Sequence, residues 1–251
     1  MEFEGRVAVV TGASSGIGRA TAEMLGAGGA RVVVHYNANA EGARKAVAAI
    51  QASPGEATAV EADLRSRAGV ELLKKQTHAA YGPIDILINN AGGMVTRTPL
   101  REVSEEVFDE VMDLNLKSLF LVTRAFLEDM AAKKKGVIVN MASIAGRNGG
   151  GRGSGVYGAS KAGAMGLSKA MAKEFIEYGI RVNAVNPGII LTPFHERFTS
   201  PEMLQGFVKT VPLGRGGTPE EVAEVIVFLA SERARYLVGE TIEINGGQLM
   251  D

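Results

Sequence analysis

Val7-Ala8-Val9-Val10-Thr11-Gly12-Ala13-Ser14-Ser15-Gly16-Ile17-Gly18 is the stretch that decides the fold. Four consecutive apolar residues with no polar alternation fit a strand buried on both faces, as in a parallel sheet. A glycine-rich turn follows, and then a helix-like stretch from Arg19 to Gly28. Strand, glycine turn and helix in this order can hold a dinucleotide. Glycines let the backbone approach the phosphates, and a helix N-terminus offers them unpaired N–H groups and a partial positive charge. The spacing is G-x-x-x-G-x-G rather than G-x-G-x-x-G. A turn with no ligand is the plain alternative; the position directly after the first strand favours binding through Gly12, Ser14, Ser15, Gly16, Ile17 and Gly18.

The same alternation runs through the rest of the chain. Arg31 to Tyr36, Ala57 to Ala62, Ile84 to Ile88, Val137 to Met141, Arg181 to Val185 and Thr241 to Ile244 read as strands. Between them, Glu41 to Ala52, Ser66 to Tyr81, Pro99 to Met130, Val156 to Tyr178 and Glu220 to Ser231 read as helices. Nothing in the composition marks a linker. The expectation is one α/β domain over residues 1–251: an open, doubly wound, mostly parallel seven-stranded sheet with helices on both faces. In such sheets ligands bind beyond the carboxyl ends of the strands. Asp63, Asn90, Ser143 and Pro187-Gly188 each sit just past a strand end, so four polar or glycine-bearing positions converge on one edge.

The second strand bears on the coenzyme. Its end reads His35-Tyr36-Asn37-Ala38-Asn39, with no acid before Glu41. An acid at the end of this strand would bind ribose hydroxyls and repel a 2′-phosphate. Tyr36 and Asn37 can instead donate to one, which favours NADP(H) over NAD(H). No arginine follows Tyr36 and Ser15 is not basic, so the strong NADP signature is missing.

Tyr157-Gly158-Ala159-Ser160-Lys161 carries two ionisable groups four residues apart. On a helix they share one face. A free tyrosine ionises near pH ~10. A cation within reach favours the phenolate, and the sequence predicts a pKa lowered toward the range useful for acid–base chemistry. A partly buried tyrosine beside a solvated lysine is the ordinary alternative.

Composition excludes several classes. The 251 residues carry net charge −1, unlike a phosphate-tracking nucleic-acid binder. No apolar run approaches the ~20 residues of a membrane span, and the N-terminus has no signal-peptide pattern. The chain has no cysteine, which fits a reducing, cytoplasmic setting. His35, His78 and His195 show no ligand spacing, so no metal site is expected.

Thr11-Gly12-xxx-Gly16-Ile17-Gly18, Asn89-Asn90-Ala91-Gly92, Asn115, Ser143, Tyr157-xxx-Lys161 and Pro187-Gly188, in this order, resemble the short-chain dehydrogenase/reductase family. The ending Gly239-Glu240-Thr241…Asn245-Gly246-Gly247 resembles the branch of 3-oxoacyl-(acyl-carrier-protein) reductases and bacterial ketone and sugar dehydrogenases. The resemblance spans the chain and implies a Rossmann-type fold, hydride transfer between NAD(P)(H) and a ketone or secondary alcohol, and a homotetramer. Tyr157 would move the proton, Lys161 would lower the tyrosine pKa and hold the nicotinamide ribose, and Ser143 would bind the substrate oxygen. Asn115 would hold a helix irregularity and position a relay water. Asp63 and Leu64 would meet the adenine, Asn90, Ala91 and Gly92 would line the cofactor cleft, and Ile190 and Thr192 would meet the carboxamide. Each has a structural alternative: Asn115 satisfied inside a helix, Ser143 or Asp63 capping one.

Two regions set the substrate. Gly146 to Gly155 is glycine-rich with Arg147 and Arg152, and reads as a mobile loop at the substrate mouth. Its arginines can attract an anionic substrate; two solvated charges is the preferred reading. Residues 192–218, with Pro193, Phe194, Phe198, Met203, Leu204, Phe207 and Val208, resemble a lid with an apolar lining, suited to a ketone with hydrophobic bulk. Glu128-Asp129 near the end of the Asn115 helix argues weakly against an acidic carrier protein as partner. A small-molecule carbonyl reductase therefore leads, and a carrier-linked 3-oxoacyl reductase follows. A non-catalytic dinucleotide sensor is the third reading, disfavoured because Tyr157 and Lys161 are both kept.

Overall fold

The computed structural model describes residues 1–250. Its elements alternate in chain order: β1 (Val7–Val10), α1 (Gly16–Ala27), β2 (Arg31–Tyr36), α2 (Ala40–Gln51), β3 (Glu56–Glu61), α3 (Arg67–Tyr81) and β4 (Ile86–Asn89). They continue with α4 (Glu105–Met112), α5 (Ser118–Lys133), β5 (Gly136–Met141), α6 (Ala145–Asn148), α7 (Gly155–Phe175) and β6 (Ile180–Pro187). Short helices α8 (Pro193–Phe198) and α9 (Pro201–Val208) precede α10 (Pro219–Ala230) and β7 (Thr241–Ile244).

The seven strands form one sheet in the order β3-β2-β1-β4-β5-β6-β7. Every pairing is parallel, so the sheet is wholly rather than mostly parallel. The period of two along each strand sends alternate residues to opposite faces. Ala8 and Val10 pack with α1, α2 and α10 on one side, while Val7 and Val9 pack with α3, α5 and α7 on the other. This explains why the strands read as continuous apolar runs. The chain reverses its direction of winding between β1 and β4, and the crevice beyond their carboxyl ends is where such sheets take ligands.

The long helical stretch around Asn115 is two helices joined by a π-helical turn, Asp113–Lys117. Buried Asn115 causes it. Its Nδ2 donates to the Val111 carbonyl at 2.9 Å, taking an acceptor that the helical ladder would use. The same amide donates to Gly93 O at 2.7 Å, and its Oδ1 accepts from Gly93 N at 3.0 Å. A side chain inserted into the ladder bends it.

A buried polar chain ties the sheet's centre to α5 and α7. Asn89 Nδ2 donates to Thr123 Oγ1 and to Asn140 Oδ1, both at 2.9 Å. Asn140 Nδ2 donates to Ser168 Oγ at 2.9 Å. Removing one member of such a chain strands its partners away from water. Asn140→Ala is expected to cost about 2–4 kcal/mol, or on the order of 10 °C in melting temperature for a chain of this size. Thermal denaturation checks this, and an unchanged midpoint contradicts it.

Candidate active site

The glycine turn is fixed from below. Thr11 Oγ1 accepts from the backbone N–H groups of Asn90 and Ala91, both at 2.9 Å, and donates to Ile88 O at 3.2 Å. Asn90 Nδ2 donates to Thr11 O at 2.8 Å and Gly12 O at 3.1 Å. The turns after β1 and β4 thus form one unit. Gly12 has φ +63°, and a Cβ on Gly18 would lie 2.4 Å from Asn90 Nδ2, so neither position accepts a side chain without strain. The α1 N-terminus has no side-chain cap and no acid in its first turn. Its N–H groups and dipole are available to an anion, and Ser15, Gly16 and Ile17 line the cleft beside it. These features fit the pyrophosphate of a dinucleotide.

His35, which no motif in the sequence marks, also supports the turn. Its Nδ1 accepts from Gly12 N at 3.0 Å, and its Nε2 faces Ala62 O at 3.0 Å, so Nε2 carries the proton. Burial lowers its pKa and keeps the imidazole neutral, which the acceptor role requires. The signal in the sequence was a histidine at the inward-facing end of the second strand.

Gly12, Ser15, Gly16, Ile17, Asn90, Ala91, Gly92, Ser143, Tyr157, Lys161, Pro187, Gly188, Ile190 and Thr192 line one cavity of about 440 Å³ at the carboxyl edge of the sheet. The other sequence-selected residues lie around it. Gly18 packs on Asn90, and Asn115 sits behind Gly92 and Gly93. Ser14 accepts from Asn39 through its carbonyl at 3.5 Å. Tyr36 is half-buried and Asn37 exposed at the end of β2. Leu64 is buried. Asp63 takes a two-pronged contact from Arg65 (Nε to Oδ1 2.9 Å, Nη2 to Oδ2 2.8 Å), which lowers its pKa. Its carboxylate therefore already has a cation, which the sequence reading did not anticipate.

Tyr157 and Lys161 share one face of α7, with Lys161 Nζ 5.7 Å from the centre of the phenol ring. The ammonium is buried and donates to Met141 O, the last carbonyl of β5, at 2.8 Å. A Cβ on Gly92 would lie 3.1 Å from Nζ and 2.6 Å from Asn115 Oδ1, so only glycine lets the turn after β4 reach these groups. Burial pushes the Lys161 pKa down to about 8. Burial also raises the Tyr157 pKa, and a hydrogen bond with Ser143 opposes it. The sequence predicts a lowered phenol; the net direction is upward because desolvation of the phenolate outweighs the polar neighbours. At neutral pH the phenol is protonated and the lysine charged.

α8 and the glycine-rich segment border the cavity on the Tyr157 side. Phe194 lies on Tyr157 with ring centres 5.8 Å apart, and Phe194 and Phe207 line the cavity. Met203, expected on the lid's apolar lining, is exposed. Arg147 pairs with Glu243 at 3.1 Å, and Arg152 presents its backbone carbonyl to Arg97. Arg97, not singled out from the sequence, lines the cavity instead. It lies in an irregular loop with no periodic pattern to flag it.

Comparisons agree with this geometry. The family model described as enoyl-(acyl carrier protein) reductase matches residues 12–248. A 3-oxoacyl-(acyl-carrier-protein) reductase of Synechocystis sp. is 44% identical over 98% of this chain and 97% of the relative. Its counterpart in Escherichia coli K12 is 39% identical, with each chain covered in full (100%). The crystal structure of levodione reductase superposes with TM-score 0.91 at 35% identity, covering 98% of both chains.

The burial of Lys161 has a direct spectroscopic consequence. With isotope-labelled lysine, its NMR signal is expected to titrate near pH 8, well apart from exposed lysines near ~10.4. A Lys161 midpoint among the exposed lysines contradicts the placement.

Proposed function

The chain belongs to the short-chain dehydrogenase/reductase family, and from that premise we propose that Ser143, Tyr157 and Lys161 carry its chemistry. It is an NAD(P)-dependent oxidoreductase that interconverts a ketone and a secondary alcohol by hydride transfer. The single observation that carries the residue assignment is the buried ammonium of Lys161 beneath the Tyr157 ring, in the cavity that also holds Ser143.

The nicotinamide coenzyme supplies the hydride. The chain's residues supply orientation and a proton. Ser143 and Tyr157 hold the carbonyl oxygen, and the phenol passes its proton to that oxygen as negative charge builds on it, giving the alcohol. The Lys161 charge stabilises the phenolate left behind. Asn115, fixed to Gly93, keeps the turn at Gly92 beside Nζ and positions the proton relay. Because burial keeps the phenol protonated, the resting site suits reduction; oxidation needs the phenolate, which higher pH supplies. The reductive rate depends on the Lys161 charge and declines as pH rises through about 8.

We assign the glycine turn, Asn90 to Gly92, Pro187, Gly188, Ile190 and Thr192 to coenzyme binding, with Asp63 and Leu64 toward the adenine and residues 192–218 as a lid. NADP(H) is the preferred coenzyme in this reading. Tyr36 and Asn37 end β2, where burial and Glu61 raise the Tyr36 pKa and Arg44, the smallest of these influences, lowers it. Glu61 accepts from the Tyr36 hydroxyl at 3.2 Å and weighs the other way. The reading extends to a cytoplasmic homotetramer. Phe108 and Phe120 are exposed on α4 and α5, and Gly166 on α7 meets open space, so these helices can take a second copy. No helix among the described residues is long and apolar enough to cross a membrane.

A second reading, reduction of a 3-oxoacyl group on a carrier protein, draws support from the names of the relatives and from Asp129. That carboxylate is buried, accepting from Ile84 N at 3.1 Å and facing His78 Nε2 at 2.7 Å. It does not repel an acidic partner from the surface, so the sequence argument against a carrier loses half its force. Turnover of a 3-oxoacyl thioester well above that of simple ketones would establish the second reading.

Tyr157→Phe is expected to lower NADPH-dependent ketone reduction by roughly 10²–10⁴-fold, the range for loss of a positioned proton donor, while coenzyme binding by fluorescence titration persists. Undiminished turnover contradicts the assignment.

A further inference from the structure

Arg97 is half-buried in the wall of the cavity that contains Ser143 and Tyr157. Its Nε donates to Phe198 O on α8, and its Nη1 donates to Arg152 O, both at 2.9 Å. The third nitrogen, Nη2, has no hydrogen-bond partner in the protein among the described residues, and the guanidinium carbon lies 6.0 Å from the centre of the Phe207 ring. Two carbonyls therefore fix the guanidinium plane while one edge of the fork remains unmet. The glycine-rich segment is shaped to it: Gly153 has φ +81°, and a Cβ there would lie 2.8 Å from Arg97 Cγ. Val95, two residues earlier, holds φ +64°, a strained conformation for a β-branched residue that re-aims the loop.

No acid balances this charge. No aspartate or glutamate lines the cavity among the described residues. Burial lowers the pKa of Arg6, Arg181 and Arg97, but Arg6 also feels the charges of Asp85 and Glu232 and Arg181 that of Glu232, whereas no carboxylate acts on Arg97. His195, beside Arg97 on the same cavity, has its pKa lowered by burial and by Arg97 itself, so it stays neutral. A half-buried cation with no carboxylate beside it can be paired by an anionic ligand at modest desolvation cost.

Resting on the ketone-reducing reading of this site, we propose that the substrate is an oxo acid whose carboxylate is bound by Arg97. A planar guanidinium with a free edge matches a planar carboxylate. The cavity of about 440 Å³ must also take the nicotinamide end of the coenzyme, which leaves room for a compact substrate. Phe194 and Phe207 cover the apolar part of the chain between the two polar ends.

The test uses the full-length protein, NADPH, and a series of 2-, 3- and 4-oxo acids, each paired with its methyl ester. At least one acid is expected to exceed its ester by ~10-fold or more in kcat/KM, the scale of one charge-assisted hydrogen bond. Arg97→Gln is expected to bring that acid-to-ester ratio to about one, chiefly through KM, and Arg97→Lys to restore part of it. Alkanoates of matching length are expected to inhibit ketone reduction competitively in the native protein and far more weakly in Arg97→Gln. Melting curves of both variants separate lost recognition from lost folding. Equal use of acid and ester by the native protein overturns the proposal, as does an Arg97→Gln defect that falls equally on both. A carrier-type thioester preferred over every oxo acid also overturns it. Reduction of simple ketones with no oxo acid turned over sinks this proposal alone; no ketone reduced at all sinks the underlying reading with it.

Discussion

The contact between Lys161 Nζ and the Met141 carbonyl is the constraint on which the site depends. It pins the first turns of α7 to the carboxyl end of β5, and so sets where Tyr157 stands relative to Ser143, two residues beyond Met141. The ammonium is buried with no carboxylate among the described residues to balance it, and burial pushes its pKa down to about 8. Burying a charge is unfavourable. Here the same burial makes the charge effective, because an ammonium in a poorly hydrated pocket acts more strongly on a neighbouring phenol than one in water.

Around this contact the fold spends its special residues on close approach. The π-helical turn lets Asn115 clamp Gly93, and Gly92 then passes within reach of Nζ. Thr11 and Asn90 lock the turn after β1 to the turn after β4, while neutral His35 supports Gly12 from beneath. These are backbone-to-side-chain bonds between segments far apart in sequence. Their effect is to hold the turns after β1 and β4 in one rigid frame, which leaves little ordering for a ligand bound there to impose.

Much of this was legible in the sequence. Apolar runs such as Val7 to Val10 declared buried parallel strands, and the glycine turn, Tyr157-xxx-Lys161 and the strand-end residues placed the cleft. The family resemblance also anticipated a helix irregularity at Asn115, and the structure supplies its cause in the Val111 carbonyl. Other features depended on three-dimensional neighbours. Arg65 reaches back to Asp63 from a loop, and Glu61 meets Tyr36 only because β3 pairs with β2. Asp129 reads as a surface acid at a helix end yet turns inward to Ile84 N. The Tyr157 pKa moves opposite to the sequence expectation because spacing reveals the cation but not the depth of burial.

The central claim is that the Lys161 charge acts on the Tyr157 phenol. The most direct measurement is the pH profile of NADPH-dependent ketone reduction in the native protein and in Lys161→Met, at matched salt. The account predicts a decline through about pH 8 in the native protein, where Lys161 loses its charge, and a slower reaction without that decline in Lys161→Met. The same decline in both proteins would contradict it.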